Sequence, residues 1–525
     1  MTHIPPPSMH GSLHRRLRKS AGLFAASSAV VLLSACVSFS GIQSNAQLKT
    51  LTPQSGAGVL TNQTGAWPDA SWAQGIGGKP LQDLIDSALA ESPSLQVAAA
   101  RVAAARAYIE ATHAETLPTV GASGSSTYQR FTENGLVPPP LAGNYYTDNE
   151  LALNISYEVD FWGKHSAEMR SALSQEKALL AEQQSARLVL SSSIAHAWVQ
   201  LARQYAQLDL ATRQLSIRNK LDELTQQRLK AGLDTRTDTE QSLVQTSTLK
   251  AEITQWQEAI SLTRNQLAAL LGQGPERGQS IPRPELAQIG NAVLPAQLPS
   301  ELLGRRPDIV AARWRVEAMQ GDIDTAKTEF YPNINLSAFV GLSSLDFTNF
   351  FKSGSAIVGG GPAIKLPIFE GGRLRAQLKS KVAAYDSAVA TYNQSLTDAL
   401  HEVADQVQSM KAAEEQNKNQ SIAAQASERT VTLAQQRRKV GTASILPVLA
   451  AESALITQQK ILLDNQMRRA DLQISLIKAL GGGFEASPEL RAPGTKLAPA
   501  AARQDGQTTS STQSTDQQKS HPEAA

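Results

Sequence analysis

The chain has 525 residues, 18% of them charged and 5% aromatic, with a formal net charge of +2. That balance offers no bulk attraction to nucleic acid or to an anionic membrane surface, and a single cysteine excludes an intrachain disulfide framework. Alanine, glutamine, serine and leucine are abundant, a composition suited to long helices packed through small side chains.

Arg15, Arg16, Arg18 and Lys19 precede a short apolar run, Ala21 to Leu32, followed by Leu33-Ser34-Ala35-Cys36. The run is shorter than the roughly 20 residues that span a bilayer as a helix, so residues 1–35 are read as a secretory signal peptide. The small residue before Cys36 resembles a bacterial lipobox, at which cleavage leaves Cys36 as an N-terminal, lipid-bearing residue. A lone cysteine is otherwise a small buried thiol; the position and flanks favour the lipid. No other stretch is apolar enough to cross a bilayer as a helix, so any crossing is made by strands. Residues 36–80, polar and glycine-rich with isolated Trp67 and Trp72, are expected to form an extended, lipid-anchored arm.

From Leu81 an amphipathic helix is expected to run to about Glu115, through Leu84, Ile85, Leu89, Leu95, Val102 and Ile109. Val120, Ala122 and Gly124 then alternate with Gly121, Ser123 and Ser125. Beyond a loop containing Pro138, Pro139 and Pro140, Leu151, Leu153, Ile155, Tyr157 and Val159 alternate with Ala152, Asn154, Ser156 and Glu158. This is the pattern of a transmembrane strand, although a half-buried strand of a soluble sheet alternates identically. Lys164 to Ala231 follows, 68 residues without Gly or Pro. As one helix it would be about 100 Å long. Gly232 stops it, and Thr235-Arg236-Thr237-Asp238 resembles a capping box opening a return helix to Leu271-Gly272.

After a Pro-rich linker, 276–297, the order found over 81–275 repeats over 298–482. Pro93 and Pro118 recur 214 positions on, as Pro307 and Pro332. Gly163, Gly232 and Gly272 recur 209 positions on, as Gly372, Gly441 and Gly481. The offset changes only within the β-hairpin, where loops absorb length differences. Ile334, Leu336, Ala338, Val340 and Leu342 predict one strand of the second hairpin, and Ile364, Leu366 and Ile368 the other, irregular near its ends because of Pro362 and Pro367. The second rod, Arg373 to Val440, again has 68 residues. Its apolar stripe from Leu374 to Met410 follows the helical period, which suits side-by-side packing better than a tightly supercoiled dimer. Ser444 is expected to cap the last helix, with Pro447 in its first turn. The tail, 493–525, has the composition of a disordered segment.

Two hairpins give each chain four strands, where the smallest transmembrane barrels need about eight. An open sheet edge cannot be left in lipid, so several copies must share one barrel under cyclic symmetry. A barrel continued by a ring of long helices is a conduit. The run Leu298-Pro299-Ser300-Glu301-Leu302-Leu303-Gly304-Arg305-Arg306-Pro307-Asp308-Ile309 resembles the signature that opens the second repeat of TolC-like outer-membrane factors, and within them the OprM/NodT-type efflux lipoproteins. Phe330-Tyr331-Pro332, Leu366-Pro367-Ile368-Phe369-Glu370-Gly371-Gly372-Arg373 and Ser156-Tyr157-Glu158-Val159-Asp160-Phe161-Trp162-Gly163 are similar to further motifs of that family. The resemblance covers about Leu81 to Gly482, together with the lipobox.

It implies a mainly α fold with a transmembrane β-barrel portion: a homotrimer sharing a twelve-stranded β-barrel and a trimeric α-helical barrel of twelve helices. It also implies an outer-membrane location, with which Val37 after Cys36 agrees, a covalent lipid with palmitate on Cys36, and no other cofactor. The implied partners are outer-membrane lipid, a periplasmic membrane-fusion adaptor and an inner-membrane transporter of the resistance-nodulation-division class. The implied function is the exit duct of a tripartite efflux system for drugs or other toxic compounds. A channel for type I protein secretion stays open as an alternative. A lipid-anchored coiled-coil surface protein explains the rods but not the two matched hairpins.

The helical tips map to the turns at Gly232 and Gly441. Lys230, Gly232, Lys439 and Gly441 are the candidates for adaptor contact; as plain helix stops they would need no partner. The family often places aspartates just after the second turn, whereas this chain carries Pro447 and Ala450, with Glu452 following. Its tip is therefore expected to close by apolar packing of Ile445, Leu446, Val448 and Leu449. Scattered histidines, and glycine runs without the lysine and spacing of a phosphate loop, show no catalytic constellation, so the chain is not read as an enzyme.

Overall fold

The computed structural model describes residues 38–49, 66–287 and 298–491. Cys36, the signal peptide, residues 288–297 of the linker and the tail lie outside the described residues. The first repeat comprises α1 (Gln74–Glu91), α2 (Pro93–Ala114), β1 (Thr119–Arg130), β2 (Tyr145–Glu158), α3 (Lys164–Lys230) and α4 (Arg236–Leu270), followed by a short α5 (Pro275–Gln279). The second comprises α6 (Leu298–Arg305), α7 (Pro307–Thr328), β3 (Asn333–Ser344), β4 (Ala356–Lys365), α8 (Arg373–Lys439) and α9 (Leu446–Ala479).

The rods α3 and α8 are each 67 residues long. Both start after a glycine in the left-handed region, Gly163 (φ 78°) and Gly372 (φ 86°). Both end at another, Gly232 (φ 73°) and Gly441 (φ 76°). The turns close alike: Leu233 N–H donates to the Arg228 carbonyl (2.8 Å), and Thr442 N–H to the Arg437 carbonyl (3.0 Å). These satisfy carbonyls that a helix end leaves without partners. The stripe along α8 is buried at Leu374, Leu378, Val382, Val389, Tyr392, Leu396, Val403 and Val407.

Three local expectations are corrected. The helix expected over 81–115 is two helices; the first reaches back to Gln74 only across a kink at Gly78 (φ 65°, ψ −164°), so its regular part starts close to the expected Leu81. Pro93 starts α2, and Ser92 before it is extended (ψ 126°), because a proline lacks an N–H and disfavours helical backbone in its predecessor. Strand β4 occupies Ala356–Lys365, not Ile364–Ile368. Its Gly359, Gly360 and Gly361 have no apolar alternation, and they are held in register by Phe339, Ala338 and Ser337 of β3. Pro362 lies inside β4 opposite Leu336, and within one chain β4 is an edge strand. Finally, Ser444 does not cap α9: Ile445 occupies the boundary and no side chain caps it. Pro447 stands 209 positions after Asp238, the acid of the capping box in the first repeat, and has no carboxylate to return.

The rods run the whole length, and shorter helices flank them in two tiers. Nearer the sheet the helices pack in the order α2–α3–α7–α8; towards the turns the order is α4–α3–α9–α8. The short helices of the two tiers meet end to end. At Gly272 (φ 73°) a Cβ would lie 2.5 Å from Pro93 Cδ, and Gln273 Nε2 donates to Glu91 (2.7 Å). At Gly481 (φ 92°) a Cβ would overlap the Arg305 carbonyl. Beside it, the Arg306 guanidinium donates to Asp308 (2.8 Å), Glu402 (2.7 Å) and the Ala479 carbonyl (3.1 Å). Burial lowers the pKa of Arg306, but Asp308 and Glu402 outweigh it and hold the group above its ordinary value.

The largest core surrounds Trp198 of α3 at mid-length, with Leu81 and Ile85 of α1, Leu267 of α4 and Ile474 of α9. Gly77 permits this approach, since a Cβ there would be 2.6 Å from Trp198 Nε1. Residues 38–49 lie extended along α8. Phe39 packs edge-on against Phe330 (5.5 Å), Arg375 donates to the Ser38 carbonyl, Ser44 bonds Asp386, and the Lys49 N–H donates to Asn393 (2.8 Å). This arm thus starts beside the sheet end of α8 and runs towards its middle.

Candidate functional site

The four strands form one antiparallel sheet in the order β1-β2-β3-β4, leaving β1 and β4 as open edges. Directly opposed residues in antiparallel strands share a face, so the register sorts the side chains. Val120, Ala122 and Gly124 oppose Ile155, Leu153 and Leu151. Those three oppose Ala338, Val340 and Leu342, and Val340 opposes Val358. The other face carries Gly121, Ser123, Glu150, Asn154, Ser156, Asn335 and Ser337, with Phe339 and Ile357 as its bulky apolar members. The apolar face is exposed, Val358 to 83% and Val120 to 69%. Strands of 10 to 14 residues are long enough for a tilted bilayer crossing, which takes about 9–11. Among the described residues no helix is long and apolar enough to cross a membrane.

At the base of the sheet Trp162 stacks on Tyr331 (4.7 Å) and donates to the Pro332 carbonyl (2.7 Å). Asp160 accepts the N–H groups of Lys164 (2.6 Å) and Ser166 (3.2 Å), capping α3. Burial lowers the Lys164 pKa, but the hydrogen bond to Glu158 and the charges of Glu158, Glu168 and Glu115 outweigh it and raise it overall.

At the opposite end, a groove of about 720 Å³ opens between the ends of α3 and α8 and the start of α9, lined in part by Lys220, Gln227, Arg438, Lys439 and Glu452. Of the expected contact residues, Lys439 lines it; Lys230, Gly232 and Gly441 are exposed on the turns. Of the four expected closure residues, Val448 and Leu449 are each only 3% exposed. Leu449 packs against Ile217 and Ile456, with Ile445 half-buried beside them. Ile445, Val448 and Leu449 lie on the side of α9 turned towards α3 and line the same groove, and only Leu446 of the four is exposed. Ala450 is exposed as well.

The first turn carries a clasp that sequence reasoning missed: Arg228 donates to both oxygens of Asp234 (2.8 and 2.9 Å). The hydrogen bond to Asp234 raises the Arg228 pKa. A basic and an acidic residue straddling Gly232 were its only signal, and the second turn lacks it because Ala443 stands in the place of Asp234. The capping box does form, with the Asp238 carboxylate accepting the Thr235 N–H (2.8 Å) and hydroxyl (2.7 Å). The Thr235 hydroxyl and then its N–H hold the Asp238 pKa below the ordinary carboxylate value. A depressed folded value means that this stabilisation is present above the unfolded pKa, about 3.9, and is lost as pH falls through the folded value. Limited proteolysis at the Gly232 turn is therefore expected to be flat from neutral pH to about 5 and to rise below about 4. Asp238→Asn should be cut faster at neutral pH and show little further change on acidification.

Comparison with known proteins agrees with this two-ended geometry. The sequence model for outer membrane efflux proteins matches residues 84–273 and 298–482. The chain is 37% identical to the fusaric acid resistance protein FusA of Burkholderia cepacia, over 64% of this chain and 64% of that protein. It is 31% identical to the multidrug resistance outer membrane protein MdtP of Escherichia coli K12, over 80% of this chain and 88% of that protein. The crystal structure of the outer membrane protein VceC from Vibrio cholerae superposes with a TM-score of 0.72 at 39% identity, covering 80% of this chain and all of that one. The sheet and the tiered helices are the two ends of an outer-membrane export channel, a transport protein. The chain belongs to the outer membrane efflux protein family.

Proposed function

We propose that three copies of this chain close into one duct, anchored by a lipid on Cys36, which receives drugs or other toxic compounds from an inner-membrane transporter through a periplasmic adaptor. One observation carries this: a sheet with an exposed apolar face, a polar face and two open edges, continued directly into 67-residue helices. Joining β4 of one copy to β1 of the next would satisfy both edges, place the apolar face in lipid and line the interior with the polar face. Family channels form trimers and work with adaptors and inner-membrane pumps. The relatives' names, multidrug and fusaric acid resistance, favour efflux over protein secretion. A transporter of the resistance-nodulation-division class is the partner this reading assigns.

The test is a strain lacking its own exit duct, supplied with this chain, the matching adaptor and transporter. Restored drug resistance and a heat-sensitive trimer band are expected; a water-soluble monomer without conductance in planar bilayers would end the proposal. The tip lacks a carboxylate at Ala450, so trivalent cations should leave the unmodified conductance nearly unchanged. Ala450→Asp, which would place three carboxylates together in a trimer, should confer block at least about tenfold more potent, as expected for close fixed charges at low dielectric. Equal block in both channels would show that another carboxylate ring guards the tip.

A further inference from the structure

One cluster of ligand-type side chains lies beneath the sheet. Glu115, which follows α2, and His165 and Glu168 near the start of α3 each bring a ligand atom within 4.8 Å of the others. Glu158, the last residue of β2, lies beside them, its Oε1 4.0 Å from His165 Nε2. The His165 side chain is only 7% exposed, and its buried Nε2 has no hydrogen-bond partner among the described residues. A buried polar atom left unpaired costs free energy, and the carboxylate of Glu158 is the group that faces this one.

The other ring nitrogen has the spacing of a metal ligand. Nδ1 is 3.3 Å from Glu168 Oε2, long for a charge-assisted bond, which is typically about 2.7–2.9 Å. That spacing suits two ligands of a tetrahedral ion with bonds of about 2.0–2.1 Å. The charge points the same way. Glu115, Glu158 and Glu168 face a single ammonium, Lys164, which is bonded to Glu158 at 3.1 Å. With His165 neutral the cluster has two negative charges in excess. Helix capping does not explain these acids, because Asp160 already takes the first N–H groups of α3.

We propose that Glu115, His165 and Glu168 hold a divalent transition ion of the zinc class. The Nδ1 atom and the two carboxylates would be ligands, with water in the remaining position and Glu158 balancing the Nε2–H. An imidazole with two carboxylates suits zinc, whereas magnesium and calcium take all-oxygen sites. A carboxylate next to the far nitrogen of a metal-bound histidine fixes its tautomer and strengthens the ligand. The ion would tie the end of α2 to the start of α3 across the base of the first β-hairpin, holding both strands at the angle at which they leave the helices. The competing arrangement, a protonated His165 paired with Glu168 and Glu158, needs no metal and is the outcome that overturns the proposal.

The experiment uses the full-length protein in detergent, stripped with a chelator and titrated with Zn²⁺ by calorimetry, with bound metal counted by mass spectrometry. One zinc per chain is expected, undisplaced by a large excess of Mg²⁺, with a rise in the melting temperature of the assembled band. His165→Gln and Glu168→Gln should abolish the site, and Glu158→Gln should weaken it by roughly 10- to 100-fold. Circular dichroism and the oligomer band show whether each variant is folded; Glu168→Gln carries the test if His165→Gln fails to assemble. No saturable zinc site in the unmodified protein, or an unchanged site in folded Glu168→Gln, overturns the proposal.

Discussion

Arginine in place of Leu153 is expected to abolish the heat-sensitive oligomer, whereas arginine in place of the next residue, Asn154, should leave it intact. Leu153 stands opposite Ala122 on one side and Val340 on the other, near the middle of the apolar face. Asn154 stands opposite Gly121 and Phe339 on the other face. A charge on the lipid-facing side of a transmembrane strand costs roughly 2–4 kcal/mol at the bilayer midplane and far less near the interfaces. Symmetry multiplies this, since each copy in the assembly carries the same substitution. On the polar face, the proposed channel lining, the charge of the Asn154 variant can reach water and should instead shift the ion selectivity of the conductance towards anions. Electrophoresis without heating gives the first comparison and reversal potentials the second. Equal stability of the two variants would show that the exposed apolar face does not meet lipid.

The second large effect is expected at Gly481. Alanine there is strained by the positive φ of 92° and overlaps the Arg305 carbonyl. Left-handed backbone costs a non-glycine residue about 1–2 kcal/mol, and forcing atoms into a packed site adds about 1–3 kcal/mol. Gly232→Ala is the control: its φ of 73° is also positive, but nothing lies within 4 Å of the added methyl. Gly481→Ala should therefore lose roughly 2–5 kcal/mol and Gly232→Ala only about 1–2 kcal/mol. Denaturant unfolding of the purified protein measures both. Similar losses would mean that the α7–α9 junction yields to the methyl, and that only backbone strain is being measured.

What the sequence revealed, and what it hid, follows from how local each signal was. The rods are delimited by residues that act within one turn: Gly163 and Gly372 before them, Gly232 and Gly441 after them, and no helix breaker between. The duplicated spacing was equally readable, because it needs only identities. Strand β4 was misplaced because Gly359–Gly361 have no side chains to alternate, and their partners in β3 fix their place. Pro93 announced the break before α2 through its recurrence as Pro307, the first residue of α7, but the apolar stripe continuing across it favoured one helix. The apolar start of α9 was legible as a hydrophobic patch. Which neighbour it meets depends on the rotation of α9 against α3, and local residues do not encode that. The Glu115–His165–Glu168 cluster joins residues fifty positions apart around a hairpin and gives no spacing motif.

The end-to-end meeting of α4 with α2, and of α9 with α7, has a mechanical consequence. At that level only α3 and α8 are covalently continuous, so half of the staves in the wall are cut at one height. Torsional stiffness must fall there, since the cut staves resist twist only through contacts such as Arg306 with Ala479 and Gln273 with Glu91. A twist applied at the turns would be absorbed at this seam before it reached the strands. The lipid-embedded part could then stay rigid while the far end dilates, as in a camera iris whose blades turn within a fixed mount.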